Sequence, residues 1–154
     1  MKAGFFETDI TPPVGTEQAG GYGKAYLESV HDPLTVQAVV FSCESSKVAL
    51  IGVDTCFIGF DTVREVQNEL WTRCGISAAN CIIGASHTHS GGAIAGMMDE
   101  DARALLPPEL EVLVMQQSTV PSPGYREWVV KQIVTAVVNA DARKENVRLS
   151  TGIG

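Results

Sequence analysis

The sequence lacks basic clusters, long apolar runs and paired cysteines, and each absence excludes a class of function. The 154-residue chain carries a net charge of −7 at pH 7, and its lysines and arginines are scattered. Nucleic acids and anionic membranes both attract basic surfaces, so neither is an expected partner. No apolar run approaches the roughly 20 residues needed to span a bilayer. A transmembrane segment is therefore not predicted.

The N-terminal residues also lack the pattern of a signal peptide. Residues 1–13 contain one lysine, but Glu7 and Asp9 interrupt the apolar segment that a signal peptide would need. A cytoplasmic location is the default prediction. Secretion stays open, because a chain that has lost its signal peptide would look the same.

The four cysteines do not form a recognisable zinc-binding motif. Cys43, Cys56, Cys74 and Cys81 include no CxxC pair, whereas a structural zinc site needs paired ligands at short spacing. Free cysteine is among the most buried residue types. We interpret all four as small buried hydrophobic residues.

Strands and helices follow one another in an order that predicts an α/β fold with a mixed sheet. Segments 34–43 and 47–57 are rich in β-branched residues, flank a short polar turn and predict a β-hairpin. A helix over 62–73 then leads to a strand at 80–85, which gives the length of a βαβ crossover. The other predicted elements are strands over 1–10 and 146–154 and helices over 108–117 and 125–144. Residues 1–154 are expected to form a single domain with helices packed on the sheet.

Local residue choices support the helix over 62–73. Thr62 and Glu65 have the spacing of a capping box, and Gly75 can supply a left-handed C-terminal cap. Leu70 and Trp71 belong to the predicted apolar stripe of this helix.

Two of the three histidines lie one residue apart in the segment GASHTHSGG, residues 84–92. If the preceding strand continues through His89, then His87 and His89 point to the same face. The pair could chelate one metal ion, or one histidine could be the ligand and the other an acid–base group. The segment follows a strand and contains glycines, and α/β folds commonly bind ligands at such strand ends.

Asp54 and Ser90 are further candidates near this segment. Asp54 lies in the apolar run IGVDTCF, where an unpaired carboxylate would be unfavourable to bury. It could orient a histidine through the second ring nitrogen, or cap the backbone at a strand end. Ser90 has no GxSxG motif around it, and the adjacent His89 is poorly placed as its base, so a serine hydrolase is disfavoured.

Five segments together resemble the neutral/alkaline, non-lysosomal ceramidase family. GFFETDITPPVG, AGGYG, VHDPLTVQAVVF, VALIGVD and GASHTHSGG occur in the order and spacing of the N-terminal part of that family's catalytic domain. HTHSG is the most specific element, and the resemblance covers essentially the whole chain. It implies a zinc-dependent amidohydrolase that cleaves the N-acyl bond of ceramide, or of a related N-acyl lipid, to sphingosine and a fatty acid.

The resemblance also implies roles for single residues. His87 is similar to the family's zinc ligand, and His89 is similar to the neighbour that contacts the scissile amide and transfers protons. A zinc ion would polarise the carbonyl group and activate water, and an imidazole would protonate the leaving amine. The implied substrate-binding positions are Gly20, Gly21, Tyr22, His31, Ser90 and Gly91.

The chain departs from the family pattern at several points. The family's other zinc ligands (a histidine, a glutamate and a tyrosine) would lie beyond residue 154, so this chain alone is expected to be inactive. Gly92 stands where the family usually has proline, and Gln37 where arginine is usual. The alternative function is a non-catalytic α/β module that binds a ligand or partner through loops 14–33 and 86–107. Homo-oligomerisation stays open.

Overall fold

A mixed β-sheet forms the centre of the molecule. The computed structural model describes residues 1–21, 23–44, 46–96 and 104–152. Within them, the strands are β1 Lys2–Asp9, β2 Thr35–Cys43, β3 Ser46–Val53, β4 Cys81–Ala85 and β5 Glu145–Asn146. The helices are α1 Phe60–Cys74, α2 Pro108–Gln117 and α3 Pro123–Ala142, and a 3₁₀ turn covers Ala78–Asn80. The strand order is β4-β3-β2-β1-β5, and the predicted α/β fold is confirmed.

The predicted hairpin and crossover are both present. β2 and β3 pair in antiparallel fashion around a turn in which Glu44 has a φ of 51°. β3 and β4 pair in parallel fashion, and α1 connects them. Parallel pairing brings the carboxyl ends of β3 and β4 to the same edge of the sheet, and this edge carries the candidate site.

One face of the sheet is covered by α1 and α3. Alternate residues of β2 are buried, as expected for a strand with one face toward the core. Fully buried side chains of α3, including Val129, Ile133 and Val137, pack in the same core cluster. Burial of an aliphatic side chain of this size contributes roughly 1.5–3 kcal/mol to folding. The Tyr125 hydroxyl anchors the start of α3 by donating to the Ile10 carbonyl at 2.7 Å.

The opposite face of the sheet is apolar and uncovered by the described helices. Phe5, Val39, Leu50 and Ile82 are paired in register and form one row across β1 to β4. Phe5 is 67% exposed and Ile82 is 62% exposed. No helix among the described residues is long and apolar enough to cross a membrane.

Of three sequence predictions for α1, two are wrong and one is confirmed. The helix begins at Phe60, so Thr62 lies inside its first turn and the predicted capping box is wrong. Thr62 and Glu65 instead accept hydrogen bonds from Arg126 of α3, at 3.0 and 2.8 Å. Trp71 is 63% exposed and does not belong to the buried stripe, while Gly75 forms the predicted left-handed cap with a φ of 66°.

Two predicted strands are shorter than expected. β3 ends at Val53 rather than at residue 57, which places Asp54 to Phe57 in the loop beyond the strand. The last strand is limited to Glu145–Asn146 instead of 146–154. It pairs with the first residues of β1, Lys2 and Ala3, and the Val147 amide donates to the Met1 carbonyl just beyond the pair at 3.2 Å.

Candidate metal centre

The ends of β3 and β4 are joined by backbone hydrogen bonds that continue past both strands. The Ser86 amide donates to the Val53 carbonyl, and the His87 amide donates to the Thr55 carbonyl, both at 3.0 Å. His87 has a φ of 63°, a left-handed conformation that is uncommon for a residue with a Cβ. Conformational strain of this kind is often found at functional sites.

The two histidines meet through a turn and not through strand alternation. β4 ends at Ala85, as predicted, so the condition under which His87 and His89 would share one strand face is not met. The left-handed turn at His87 redirects the chain and brings the two rings together. The ring centroids of His87 and His89 lie 5.0 Å apart at an interplanar angle of 75°. Their Nε2 atoms are separated by 3.4 Å.

The separation of these nitrogen atoms suits a shared metal ion. Two nitrogen ligands at tetrahedral angles around zinc, each 2.0–2.1 Å from the ion, lie about 3.3 Å apart. The Nδ1 atom of His87 lies 2.7 Å from the Cys56 carbonyl oxygen, to which it can donate. That hydrogen bond favours the tautomer in which Nε2 keeps its lone pair. Both histidine side chains are exposed at the edge of the sheet, where a metal ion has access.

Cys56 is a third donor that the sequence analysis missed. One donor atom from each of Cys56, His87 and His89 lies within 4.8 Å of the others. The Cys56 sulfur is 4.0 Å from Nδ1 of His87, and the residue is only 4% exposed. The available signal was its position just after an apolar strand that is adjacent to the strand preceding His87. The predicted burial is confirmed for Cys56, Cys74 and Cys81 and is wrong for Cys43, which is exposed. The neighbours of Cys56 were not predicted.

Asp54 caps the start of β2 through contacts with Thr35. Its carboxylate accepts hydrogen bonds from the Thr35 amide at 3.0 Å and from the Thr35 hydroxyl at 3.3 Å. The Asp54 amide donates in return to the Thr35 carbonyl at 2.9 Å. Of the two roles left open by the sequence, these contacts match backbone capping. The second nitrogen of His87 is held by a carbonyl group instead.

The glycine-rich loop packs directly against the histidine segment. The Ala19 amide donates to the Gly91 carbonyl at 2.9 Å, and the Gln18 side chain donates to the His89 carbonyl at 2.6 Å. Gly20 has a φ of 85°, and a Cβ at this position would lie 2.6 Å from the His89 ring. Only glycine satisfies both conditions. Gly21 is exposed on the same loop, and the predicted residue Tyr22 lies outside the described residues.

A groove of about 920 Å³ runs beside the histidine segment, and His31 and Ser90 both line it. The His31 side chain is 96% exposed and pairs with Asp32 at 2.8 Å. Gly91 is buried, and a Cβ there would approach the Leu34 side chain to 2.7 Å. The Ser90 amide donates to the Thr88 hydroxyl at 3.2 Å.

Fold and side chains together define an α/β sheet with a cluster of metal-donor groups at the carboxyl ends of two parallel strands. Two solved structures are similar to the chain in fold. The first is a neutral ceramidase from Pseudomonas aeruginosa, with a TM-score of 0.71 and 18% identity over 94% of this chain and 22% of that chain. The second is a ceramidase complexed with C2, with a TM-score of 0.65 and 20% identity over 94% of this chain and 21% of that chain.

These similarities confirm, at the level of the fold, the resemblance to the N-terminal part of neutral ceramidase. The chain spans about a fifth of the length of each of the two solved structures. No protein-family model and no curated protein matches the sequence.

Proposed function

We propose that the chain is part of the catalytic domain of a metal-dependent amidohydrolase. The substrate class is ceramide or a related N-acyl lipid, and the products are a sphingoid amine and a fatty acid. The observation that carries this proposal is the 3.4 Å separation of the two Nε2 atoms. They lie at the strand edge of a fold similar to that of two solved ceramidases.

In this proposal, His87 is the protein ligand to zinc. Its Nδ1 atom is held by the Cys56 carbonyl, and its Nε2 atom, which faces Nε2 of His89, is the one assigned to the ion. When bound, zinc supplies Lewis acidity toward a carbonyl oxygen and activates water near neutral pH. The left-handed backbone of His87 fixes the direction in which the ring projects.

His89 is proposed to handle protons beside the metal. The backbone of His89 is anchored by the Gln18 side chain, and its ring lies against Gly20. A neutral imidazole so placed can take a proton from water and deliver it to the leaving nitrogen of the amide. A ring held 3.4 Å from the ligand nitrogen is within reach of groups at the metal.

The groove lined by Thr88 and Ser90, the chain neighbours of His89, is proposed to receive the substrate. It joins apolar side chains such as Leu27 and Leu34 to polar groups that include Ser90 and His31, a mixture that suits an amide attached to an acyl chain. Further contacts are assigned to Gly20, Gly21, Tyr22 and Gly91, the positions implied by the family resemblance.

The uncovered face of the sheet supports the proposal that the chain is part of a larger catalytic domain. A contiguous exposed apolar row is unusual for a surface in contact with water and is typical of one that packs against other protein. A longer polypeptide of the size of the solved ceramidases could supply that covering layer and the remaining metal ligands. The 154-residue chain alone is then expected to bind zinc weakly and to be inactive.

The test uses zinc binding by the chain and hydrolysis by a longer form. A longer form that contains the whole catalytic domain is expected to hold about one zinc ion per catalytic centre and to release fatty acid from a labelled N-acylsphingosine. His87→Ala should abolish both properties, while His31→Ala should retain the zinc. Full hydrolysis by the His87→Ala protein would exclude the proposed centre.

The alternative is a non-catalytic module that binds a partner through loops 14–33 and 86–107. It predicts no metal in the protein after dialysis and no effect of chelators on partner binding. Elemental analysis of the dialysed longer form therefore separates the two functions. A cytoplasmic location, or secretion of a processed chain, remains a prediction for cell fractionation.

A further inference from the structure

We propose that Asp54 is a positioning residue for His87 and acts through the backbone of the two residues that follow it. The inference rests on the proposed metal-dependent function, because it concerns the ring whose Nε2 atom is assigned to the metal ion. The hydrogen bonds of the Asp54 carboxylate go to Thr35, whereas the next two carbonyl groups in the chain hold His87.

His87 is held at two points by these consecutive carbonyl groups. The Thr55 carbonyl accepts the His87 amide at 3.0 Å, and the Cys56 carbonyl lies 2.7 Å from Nδ1 of the ring. The first contact supports a backbone with a φ of 63°, a strained conformation that persists where the surrounding structure fixes it. The second favours the tautomer that leaves Nε2 with its lone pair. Both contacts depend on the path of the chain through residues 54–56.

Asp54 fixes that path at its first residue. Residues 54–56 lie beyond the end of β3. The Asp54 carboxylate accepts from the Thr35 amide at 3.0 Å and from the Thr35 hydroxyl at 3.3 Å, and the Asp54 amide donates to the Thr35 carbonyl at 2.9 Å. Thr35 is the first residue of β2, a central strand of the sheet. These hydrogen bonds therefore tie the segment that holds His87 to the sheet.

The Thr55 side chain shows that this segment is fixed against an energetic cost. Thr55 is 2% exposed, and its Oγ1 atom is buried with no hydrogen-bond partner among the described residues. A buried hydroxyl without a partner is unfavourable and uncommon. Because the Thr55 carbonyl, and not its hydroxyl, contacts His87, Thr55→Val should leave the ring in place. This variant separates the Thr55 side chain from the backbone path that Asp54 sets.

The test is the tautomer of the His87 ring in the metal-free chain, measured by ¹⁵N NMR at pH 8, where imidazole rings are ordinarily neutral. The wild type should carry the ring proton on Nδ1. In Asp54→Ala the Cys56 carbonyl should no longer be held in place, so the ring signals should move toward the Nε2–H form. A folded Asp54→Ala chain that keeps the wild-type tautomer would overturn the proposal. So would the Nε2–H form in the wild type, a result that needs no variant.

Three further variants show whether the effect belongs to Asp54. Asp54→Asn keeps an oxygen acceptor and should retain the Nδ1–H form, and Thr55→Val should retain it as well. The matched control is Asp9→Ala, because the Asp9 carboxylate caps the backbone just beyond β1. Its loss should lower stability without changing the His87 signals. A change of tautomer in Asp9→Ala equal to that in Asp54→Ala would overturn the assignment.

Co²⁺, which binds ligand sets similar to those of Zn²⁺, connects this test to the metal centre. Titration with Co²⁺ should broaden the His87 ring signals of the wild type, because the ion is paramagnetic. Asp54→Ala should need about 10-fold more Co²⁺ for the same broadening. Equal Co²⁺ affinities despite a change of tautomer would overturn the role of Asp54 at the metal site. Absence of broadening in the wild type would instead contradict the proposed metal centre, while the tautomer comparison still decides whether Asp54 positions the ring.

Discussion

Gly20 offers a direct test of how the glycine-rich loop sets the position of His89. A Cβ on Gly20 would lie 2.6 Å from two atoms of the His89 ring, including the atom attached to its own Cβ. Contact at that atom cannot be relieved by a small movement at the far end of the side chain. The imidazole must rotate about χ1, which carries its Nε2 atom away from that of His87. Gly20→Ala is therefore expected to disrupt the metal centre.

The backbone conformation of Gly20 introduces a second effect that must be separated from the first. Gly20 has a φ of 85°, and a side chain in such a conformation costs on the order of 1–3 kcal/mol. Gly15 has a φ of 90°, and a Cβ there would meet nothing within 4 Å. Gly15→Ala therefore carries the backbone penalty without the contact, and it is the matched control. Because His89 is exposed, its ring can leave the site with little loss of packing.

The two variants should therefore lose similar stability but differ in metal binding. At roughly 2–4 °C per kcal/mol for a chain of this size, each should melt roughly 2 to 12 °C below the wild type. Only Gly20→Ala should also weaken Co²⁺ binding, by about 10- to 100-fold. Thermal unfolding by circular dichroism and Co²⁺ titration provide the two measurements. Equal Co²⁺ affinities for Gly20→Ala and Gly15→Ala would refute the proposed role of the loop.

Three further predictions concern backbone strain, a buried phenol and a close contact. His87 has a φ of 63°, a conformation that glycine adopts without the steric penalty of a Cβ. His87→Gly should therefore be about 1 kcal/mol more stable in urea unfolding than His87→Ala, although neither variant is expected to bind metal. The reverse order of stability would show that the His87 backbone is not strained. Tyr125→Phe removes the donor to the Ile10 carbonyl and should lower stability at pH 8 by about 1–3 kcal/mol. Burial raises the pKa of Tyr125 above its ordinary value of 10.0. Because the unfolded chain then loses the phenol proton at a lower pH than the folded protein does, the wild type should lose stability as the pH rises above 10, and the stability difference from Tyr125→Phe should narrow. A stability difference that is constant from pH 8 to 11 would argue against this. Gly92→Ala places a Cβ 2.6 Å from the buried Tyr125 ring and should lower the free energy of unfolding by about 1–3 kcal/mol. Gly91→Ala should lower it less, because its Cβ meets a leucine methyl group that can move. Equal losses at the two glycines would show that the Tyr125 ring yields.

The main elements of the fold were predictable because their residue patterns are local. β-Branched segments around a short turn were sufficient for the β2–β3 hairpin, and the length of residues 47–85 was sufficient for the parallel crossover. The left-handed cap at Gly75 was also predictable, since glycine enters that conformation at little steric penalty. Element ends were less predictable. Thr62 and Glu65 fit a capping box in sequence, but a guanidinium group from α3 binds both of them.

The candidate site was predicted in its residue types more than in its geometry. His87 and His89 were identified from spacing and strand-end position, but the left-handed turn at His87 that brings their rings together was not predicted. Asp54 was a candidate to orient a histidine, but its carboxylate accepts two hydrogen bonds from Thr35. Cys56 was interpreted as a buried hydrophobic residue because no second cysteine lies near it in sequence.

The amino-acid sequence by itself determined which segments become strands and helices, because alternation, helical spacing and turn residues act over a few positions. It also determined that two imidazoles follow a strand within a glycine-rich segment. Only the tertiary structure decided which groups surround them. The parallel pairing of β3 with β4 brings Cys56 to within 4.0 Å of a histidine that lies 31 positions away in the chain. The packing of the N-terminal loop then places Gly20 against the His89 ring. Contacts of this kind were not predictable, because contacts between distant segments depend on strand order and register, which no local pattern specifies.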